Sequence, residues 1–546
     1  MKKLTIITIA ALSAALVGCG SGDGGVSSPG ISNGGTDSGN AGSENSIGDS
    51  TRDPDGEPGG FDPSGLYTKD CFWGPSTDAN AVNVLYPDKF AIYWTTSFNI
   101  PAGGEVILKG QYPLARYMSF NAYDPIVRPI DAVADAEILP DEGSVNTSLA
   151  GADRFADDRS YTLRIIAAVP PENIKDREAN TLYSFQGQGD ARAPSNQALV
   201  IYRVYIPDEG GDKTGGVGLP QVVLKQANGS EVGGSEGCEA AEQFDVPPTA
   251  ADALAASDPV PVGGNTAVFD PPQWLKFFNL QSSQMNRFNA TPAGDVIRPT
   301  ALNPQNAGGG FASNIHNAYI YAVGKANVIT NKEIMVFAAK FPKTPTTLQG
   351  DAVMGGGDMR YWSVCSNDRD SQRFIDCIYD EITVPMSNAD GTLIDNDPEQ
   401  WRLFVVAPGG KIPNNATADN GVNLLAWGVA SDTLIIIRNM LSENNFQGAV
   451  QFVPGAAGSC EASSMQQQFP YVATMSQADF EDFGDTITYS KLAEHLKASQ
   501  FSRDADNSNC KTNVNYGTEA NPQFYEEPTR PNAIVEPDTF GGAMGL

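Results

Sequence analysis

The chain has 546 residues, and its 65 acidic side chains outnumber 35 basic ones to give a formal net charge of −30. That balance excludes nucleic acid as a partner, because such binding relies on clustered Lys and Arg to neutralise phosphates. It equally excludes lying flat on anionic lipid.

Lys2-Lys3 opens the chain, and an apolar run from Leu4 to Val17 follows, broken only by Thr5, Thr8 and Ser13. The run is too short for a spanning helix, which needs ~20 residues, but it suits a signal-peptide core. It closes on Leu16-Val17-Gly18-Cys19, which resembles the bacterial lipobox. The resemblance implies cleavage before Cys19 and lipidation of that cysteine, with each buried methylene of the acyl chains adding ~0.8 kcal/mol. Residue 20 is Gly rather than Asp, which in such lipoproteins favours the outer membrane. From 20 to 60 the sequence is Gly, Ser, Asp, Asn and Pro with almost no large apolar residue, the composition of a tether.

The ~485 residues beyond the tether exceed one ordinary core, so two or more domains are expected. Two stretches read alike. Phe90-Ala91, Leu108, Gly110 and Ala115-Arg116-Tyr117-Met118-Ser119-Phe120 parallel Phe337-Ala338, Leu348, Gly350 and Met359-Arg360-Tyr361-Trp362-Ser363-Val364. Leu163 to Val169 then matches Leu403 to Ala407, and Leu199-Val200-Ile201-Tyr202-Arg203 matches Leu434-Ile435-Ile436-Ile437-Arg438. Ordered matches of this kind predict one β-domain present twice. Short β-branched runs such as Val106-Ile107-Leu108 and Val222-Val223-Leu224, with frequent Gly and Pro, agree.

The expected fold is therefore mainly β: two related antiparallel β-sandwich domains with a few short helices. The signal peptide covers 1–18, the tether 19–60, the first sandwich 61–245, a linker with a short helix 246–305, the second sandwich 306–455, and a helical and irregular tail 456–546. Helix starts are expected at Pro272 to Phe278, at the capping box Ser476-Gln477-Ala478-Asp479, and at Ser490 to Leu496.

Arg116-Tyr117-Met118-Ser119-Phe120-Asn121-Ala122-Tyr123-Asp124 with Tyr202-Arg203-Val204-Tyr205-Ile206-Pro207-Asp208 resembles a domain of unknown function in bacterial exported proteins. Arg360 to Asn367, Asp376-Cys377-Ile378-Tyr379-Asp380 and Ile437-Arg438-Asn439-Met440-Leu441 are similar to the second half of secreted proteins of this kind. The resemblance covers most of 80–455. It implies jelly-roll-like sandwiches in the cell envelope, and it carries no activity or catalytic residue.

Beyond Cys19 stand Cys71, Cys238, Cys365, Cys377, Cys460 and Cys510. An even count in an exported chain suggests three disulfides, with fifteen pairings open. The sequential one, Cys71–Cys238, Cys365–Cys377 and Cys460–Cys510, is the most economical. Only His316 and His495 are present, a poor supply for a histidine-based triad. Gly233-Gly234-Ser235-Glu236-Gly237 matches the nucleophile-elbow pattern formally, but without a buried strand before it reads as a flexible loop. Asp504 and Asp506, beside Cys510, are the preferred calcium candidates, although no stretch fits a full EF-hand loop. Trp274, Trp362, Trp401 and Trp427 read as core residues before sugar-stacking ones.

Arg116, Arg203, Arg360 and Arg438 recur at matching places within apolar strands. A buried guanidinium is costly unless paired. Each is expected to meet a carboxylate or carbonyls of its own domain, or else to line an anion or sugar pocket. The function expected is that of a lipid-anchored outer-membrane, cell-envelope lipoprotein with a binding or structural role, with a glycan or other envelope ligand as its partner. The alternative is a carboxylate-dependent hydrolase acting on polysaccharide, because a pair of acids suffices there.

Overall fold

The computed structural model describes residues 72–497 apart from 81–82, 84–85, 124–128, 172–175, 186–195, 242–271, 273, 277–316, 326–331, 370, 392–397, 430–431, 444–445, 447 and 453–460. Cys19, Cys71, His316, Cys460, Asp504, Asp506 and Cys510 lie outside the described residues.

The body is mainly β. In chain order the strands are β1 (Thr77–Asp78), β2 (Ala91–Asn99), β3 (Glu105–Gln111), β4 (Ala115–Tyr123), β5 (Pro129–Ala134), β6 (Ser160–Ile166), β7 (Thr181–Tyr183), β8 (Gln197–Pro207), β9 (Gln221–Lys225) and β10 (Glu231–Gly233). Then come β11 (Leu275–Lys276), β12 (Asn317–Lys325), β13 (Ile334–Lys340), β14 (Met359–Asp368), β15 (Phe374–Tyr379), β16 (Trp401–Ala407), β17 (Val422–Ala426), β18 (Asp432–Ser442) and β19 (Tyr471–Met475). They form four sheets, ordered β1-β2-β8-β4-β5, β10-β9-β3-β6-β7, β11-β12-β18-β14-β15 and β17-β16-β13-β19. Each of the last nine strands thus holds the place that one of the first nine holds, β12 standing for β2 and β18 for β8. Pairing is antiparallel except for β6–β7 and β16–β17, which are parallel.

Sequence period explains which faces are buried. In β6, Tyr161, Leu163 and Ile165 point inward while Thr162 and Arg164 do not, the two-residue alternation of a sheet with one solvated face. The central strands β4, β8, β14 and β18 carry near-continuous apolar runs and are buried along both faces. One face packs inside its own sandwich. Trp94, Phe98, Phe120 and Tyr202 meet Val106, Leu108, Leu163 and Leu224 in the first, and Ile320, Trp362, Val364 and Ile437 meet Phe337, Phe404 and Val406 in the second. The opposite faces share a cluster of Tyr117 and Tyr205 with Tyr361, Met440 and Leu441. The described residues between 72 and 497 accordingly belong to one compact unit.

Long loops strengthen that union. Asn83 exchanges hydrogen bonds with the backbone of Phe374, at 3.0 and 2.7 Å. Gly151, Ala152 and Arg154 bond the backbone of Ala352 and Met354 at 2.8–2.9 Å.

Three local expectations need correcting. Leu275–Lys276 is a strand paired to Ile320 and Tyr321, not the start of a helix. The sheet edge supplies ladder bonds that a short helix here would forgo, and Trp274 is buried against Phe337 at 5.0 Å between ring centroids. The Gly233 to Gly237 stretch is no loop either, but the end of β10 and the start of helix α1 (Gly234–Ala240). β10 is a largely exposed edge strand, so the buried strand that a nucleophile elbow requires is missing. Finally, Phe337-Ala338 belongs to β13, whose counterpart is β3, and Leu348 and Gly350 lie in the loop beyond β13, so the matches to Phe90-Ala91 and to Leu108 and Gly110 both fail. Residues 91–99 correspond instead to 317–325.

Helix α2 spans Glu461–Met465. The capping box forms as expected on helix α3 (Gln477–Glu481): Ser476 Oγ accepts from the Asp479 N–H at 3.0 Å, and the Asp479 carboxylate accepts from the Ser476 N–H at 3.3 Å. Helix α4 (Tyr489–Lys497) buries Leu492 and Leu496 against the second sandwich and leaves His495 exposed.

A disulfide joins Cys365 to Cys377, which face each other directly across β14 and β15. Cys238 is also disulfide-bonded, and its Sγ accepts from the Phe72 N–H at 3.2 Å. Non-reducing peptide mapping is expected to recover Cys71 linked to Cys238. Recovery of Cys71 as a free thiol from folded protein would contradict it.

Candidate functional site

Three of the four recurring arginines, Arg116, Arg360 and Arg438, reach across to the other sandwich. In β4, Ala115 pairs with Pro207 and Tyr117 with Tyr205, which leaves Arg116 and Ile206 outside the ladder. In β14, Met359 pairs with Ser442 and Tyr361 with Met440, which leaves Arg360 and Leu441 outside in the same way. Ile206 and Leu441 both adopt left-handed backbone, with φ of 47° and 51°, a conformation costly for a β-branched residue such as Ile206. Irregular pairing re-aims the side chains beside it, and here it accompanies arginines that cross to the other sandwich.

Arg116 is fully buried and donates to Asp380 Oδ1 at 2.8 Å, to Glu381, and to Thr347 Oγ1 at 3.0 Å. Arg360 donates to both oxygens of Asp135 at 3.2 Å and to the Ser148 carbonyl at 2.8 Å. Each guanidinium also reaches the other's backbone, Arg360 bonding the Arg116 carbonyl at 3.2 Å and Arg116 the Arg360 carbonyl at 3.5 Å. Asp135 and Asp380 open matching short 3-10 turns after β5 and β15. They also accept from the N–H groups of Met118 at 2.8 Å and Trp362 at 3.1 Å. The arginines therefore do not meet carboxylates of their own domain. Each clamps the other half, an arrangement that ties two cores together through charge-assisted bonds.

Burial would pull the Arg116 guanidinium down, but Asp380 and Glu381 more than reverse this, so its pKa lies above the usual value. Burial raises the Asp380 carboxyl, and Arg116 offsets only part of that rise.

Arg438 meets Asp88, which the loop before β2 carries across from the first half, at 2.7 Å with the N–H directed aside. The Tyr361 hydroxyl donates to the same carboxylate at 2.9 Å and the Ser363 hydroxyl at 2.8 Å. Arg203 behaves differently. Its guanidinium donates to the Tyr123 hydroxyl and lies 5.6 Å from the Tyr93 ring centroid. A further buried arginine gives no signal in the sequence: Arg154 pairs with Asp208 and donates to the Asp351 carbonyl at 2.8 Å. A polar loop around it hid its burial. The acids were legible in principle, since Asp135 and Asp380 each stand at the close of the strand following an arginine-bearing one.

The four tryptophans singled out are all buried, so their ring faces pack cores and are not open to a sugar. No group of His, Cys, Asp or Glu among the described residues is arranged to hold a metal ion, and no described helix is long and apolar enough to cross a membrane.

No protein-family model matches the chain, and no curated protein matches it. Among solved structures, an uncharacterized Burkholderia cenocepacia protein is similar with a TM-score of 0.38 and 12% identity, over 76% of this chain and 85% of that one. A Vibrio parahaemolyticus protein is similar with a TM-score of 0.33 and 10% identity, over 71% and 89%.

Proposed function

We propose that this chain is an outer-membrane lipoprotein, lipidated on Cys19, whose body is an internally duplicated pair of β-sandwiches with a binding or structural role in the cell envelope. The observation that carries the structural part is the reciprocal clamp, Arg116 on Asp380 and Arg360 on Asp135. Duplication followed by fusion would leave such a pseudo-symmetric seam, along with nine strands in one order and a left-handed residue at the same place in β8 and β18. A body fused in this way suits a rigid module held off the membrane by a tether, more than a pair of independent domains.

Support for the anchor comes from Lys2-Lys3, the apolar run and Leu16 to Cys19. Cys19→Ser is expected to release the protein from the membrane fraction. A variant that stays membrane-bound at unchanged mass would refute the anchor.

A further inference from the structure

We propose that the buried Arg203 guanidinium of the first sandwich, with Tyr117 and Ser119 beside it, binds the carboxylate of a small organic acid. This deepens the binding role proposed above and rests on that reading.

The two halves carry the same constellation. Ser119 lies opposite Arg203 and Tyr93 pairs with Arg203, just as Ser363 lies opposite Arg438 and Tyr319 pairs with Arg438. Tyr117 and Tyr361 occupy matching positions two residues before each serine. In the second half this constellation is filled: Arg438, Tyr361 and Ser363 all face the Asp88 carboxylate. The protein itself thus displays what an arginine, a phenol and a serine hydroxyl so placed will hold.

In the first half the same groups are present without the acid. Arg203 is 4% exposed, makes no ion pair among the described residues, and leaves its Nε–H unmatched. Its neighbours are phenols, Tyr93 and Tyr123 among them. Ser119 Oγ, whose counterpart grips Asp88, accepts instead from Asn121 Nδ2 at 2.9 Å. A buried guanidinium without a counter-ion is costly, and one anion of charge −1 removes that cost. A monocarboxylate balances the single positive charge, whereas the phosphate dianion would leave an excess negative charge buried. The tyrosine rings favour an acid with an apolar body.

Thermal unfolding of the full-length protein in detergent, with acetate or benzoate titrated against chloride at matched ionic strength, tests this. A ligand that binds only the folded state raises Tm with concentration whatever its route of entry. At least one acid is expected to raise Tm in this way, and inorganic phosphate is not. Arg203→Gln should abolish the rise. The double variant Tyr117→Phe, Ser119→Ala should weaken apparent affinity about tenfold while keeping the packing, and it carries the test if Arg203→Gln does not fold. The proposal is overturned if neither acid raises Tm beyond chloride, if phosphate acts as well as the acids, or if the double variant responds as the wild type does. None of these results bears on release by Cys19→Ser, so failure of this site and failure of the anchored-lipoprotein reading are separate outcomes.

Discussion

Arg360→Met is expected to destabilise the body by about 3–5 kcal/mol, the usual cost of orphaning a buried partner. The substitution strands Asp135 in a site where its carboxylate is almost wholly buried and already committed to the Met118 and Ala136 N–H groups. Because Arg360 belongs to the second sandwich and Asp135 to the first, the loss should appear in both halves at once. Tryptophans in both cores, Trp94 in one and Trp362 in the other, report each half during denaturant unfolding. A single coincident transition, displaced to lower denaturant, is the expected record. Adding Asp135→Asn should recover part of the loss, since the amide keeps one acceptor for Met118 while removing the unpaired charge. An unchanged midpoint in Arg360→Met would mean the clamp is incidental.

Much of the fold was legible because sheets write their period into the chain. β3, β4, β6, β8, β9, β14, β16 and β18 all fall on runs marked by β-branched and aromatic residues. The capping box at Ser476 was equally plain, because its chemistry is local. What failed was non-local. Nothing in Pro272 to Phe278 says that an open sheet edge waits at Tyr321, so its local pattern is helical although Leu275–Lys276 forms a strand. The Phe337-Ala338 match failed because short apolar dipeptides recur in many strands, whereas Arg-Tyr-x-Ser does not. The arginines stand out as a set, but three of them pair with the other half and not with their own. A sequence shows that an arginine within an apolar strand must be paired; only the association of two sheets decides with what.

Asp88→Asn should prove as damaging as loss of the clamp, at about 3–5 kcal/mol, although it changes one atom in a loop of the first half. Asp88 is fully buried and sits beside Arg438, with Tyr361 and Ser363 donating to it. Those three groups all belong to the second sandwich. The amide retains an oxygen for one donor, but it removes the charge that balances Arg438 and brings an N–H₂ against donors. Arg438 would then stand as Arg203 stands now, among phenols and without an anion among the described residues. Arg438→Met in the same background should cost little more, so the double variant should be less unstable than the sum of the two single losses. Chemical denaturation of the four proteins measures that coupling. If the two losses simply add, Asp88 and Arg438 are not acting on each other. The carboxylate pocket of the second half would then be no guide to the first.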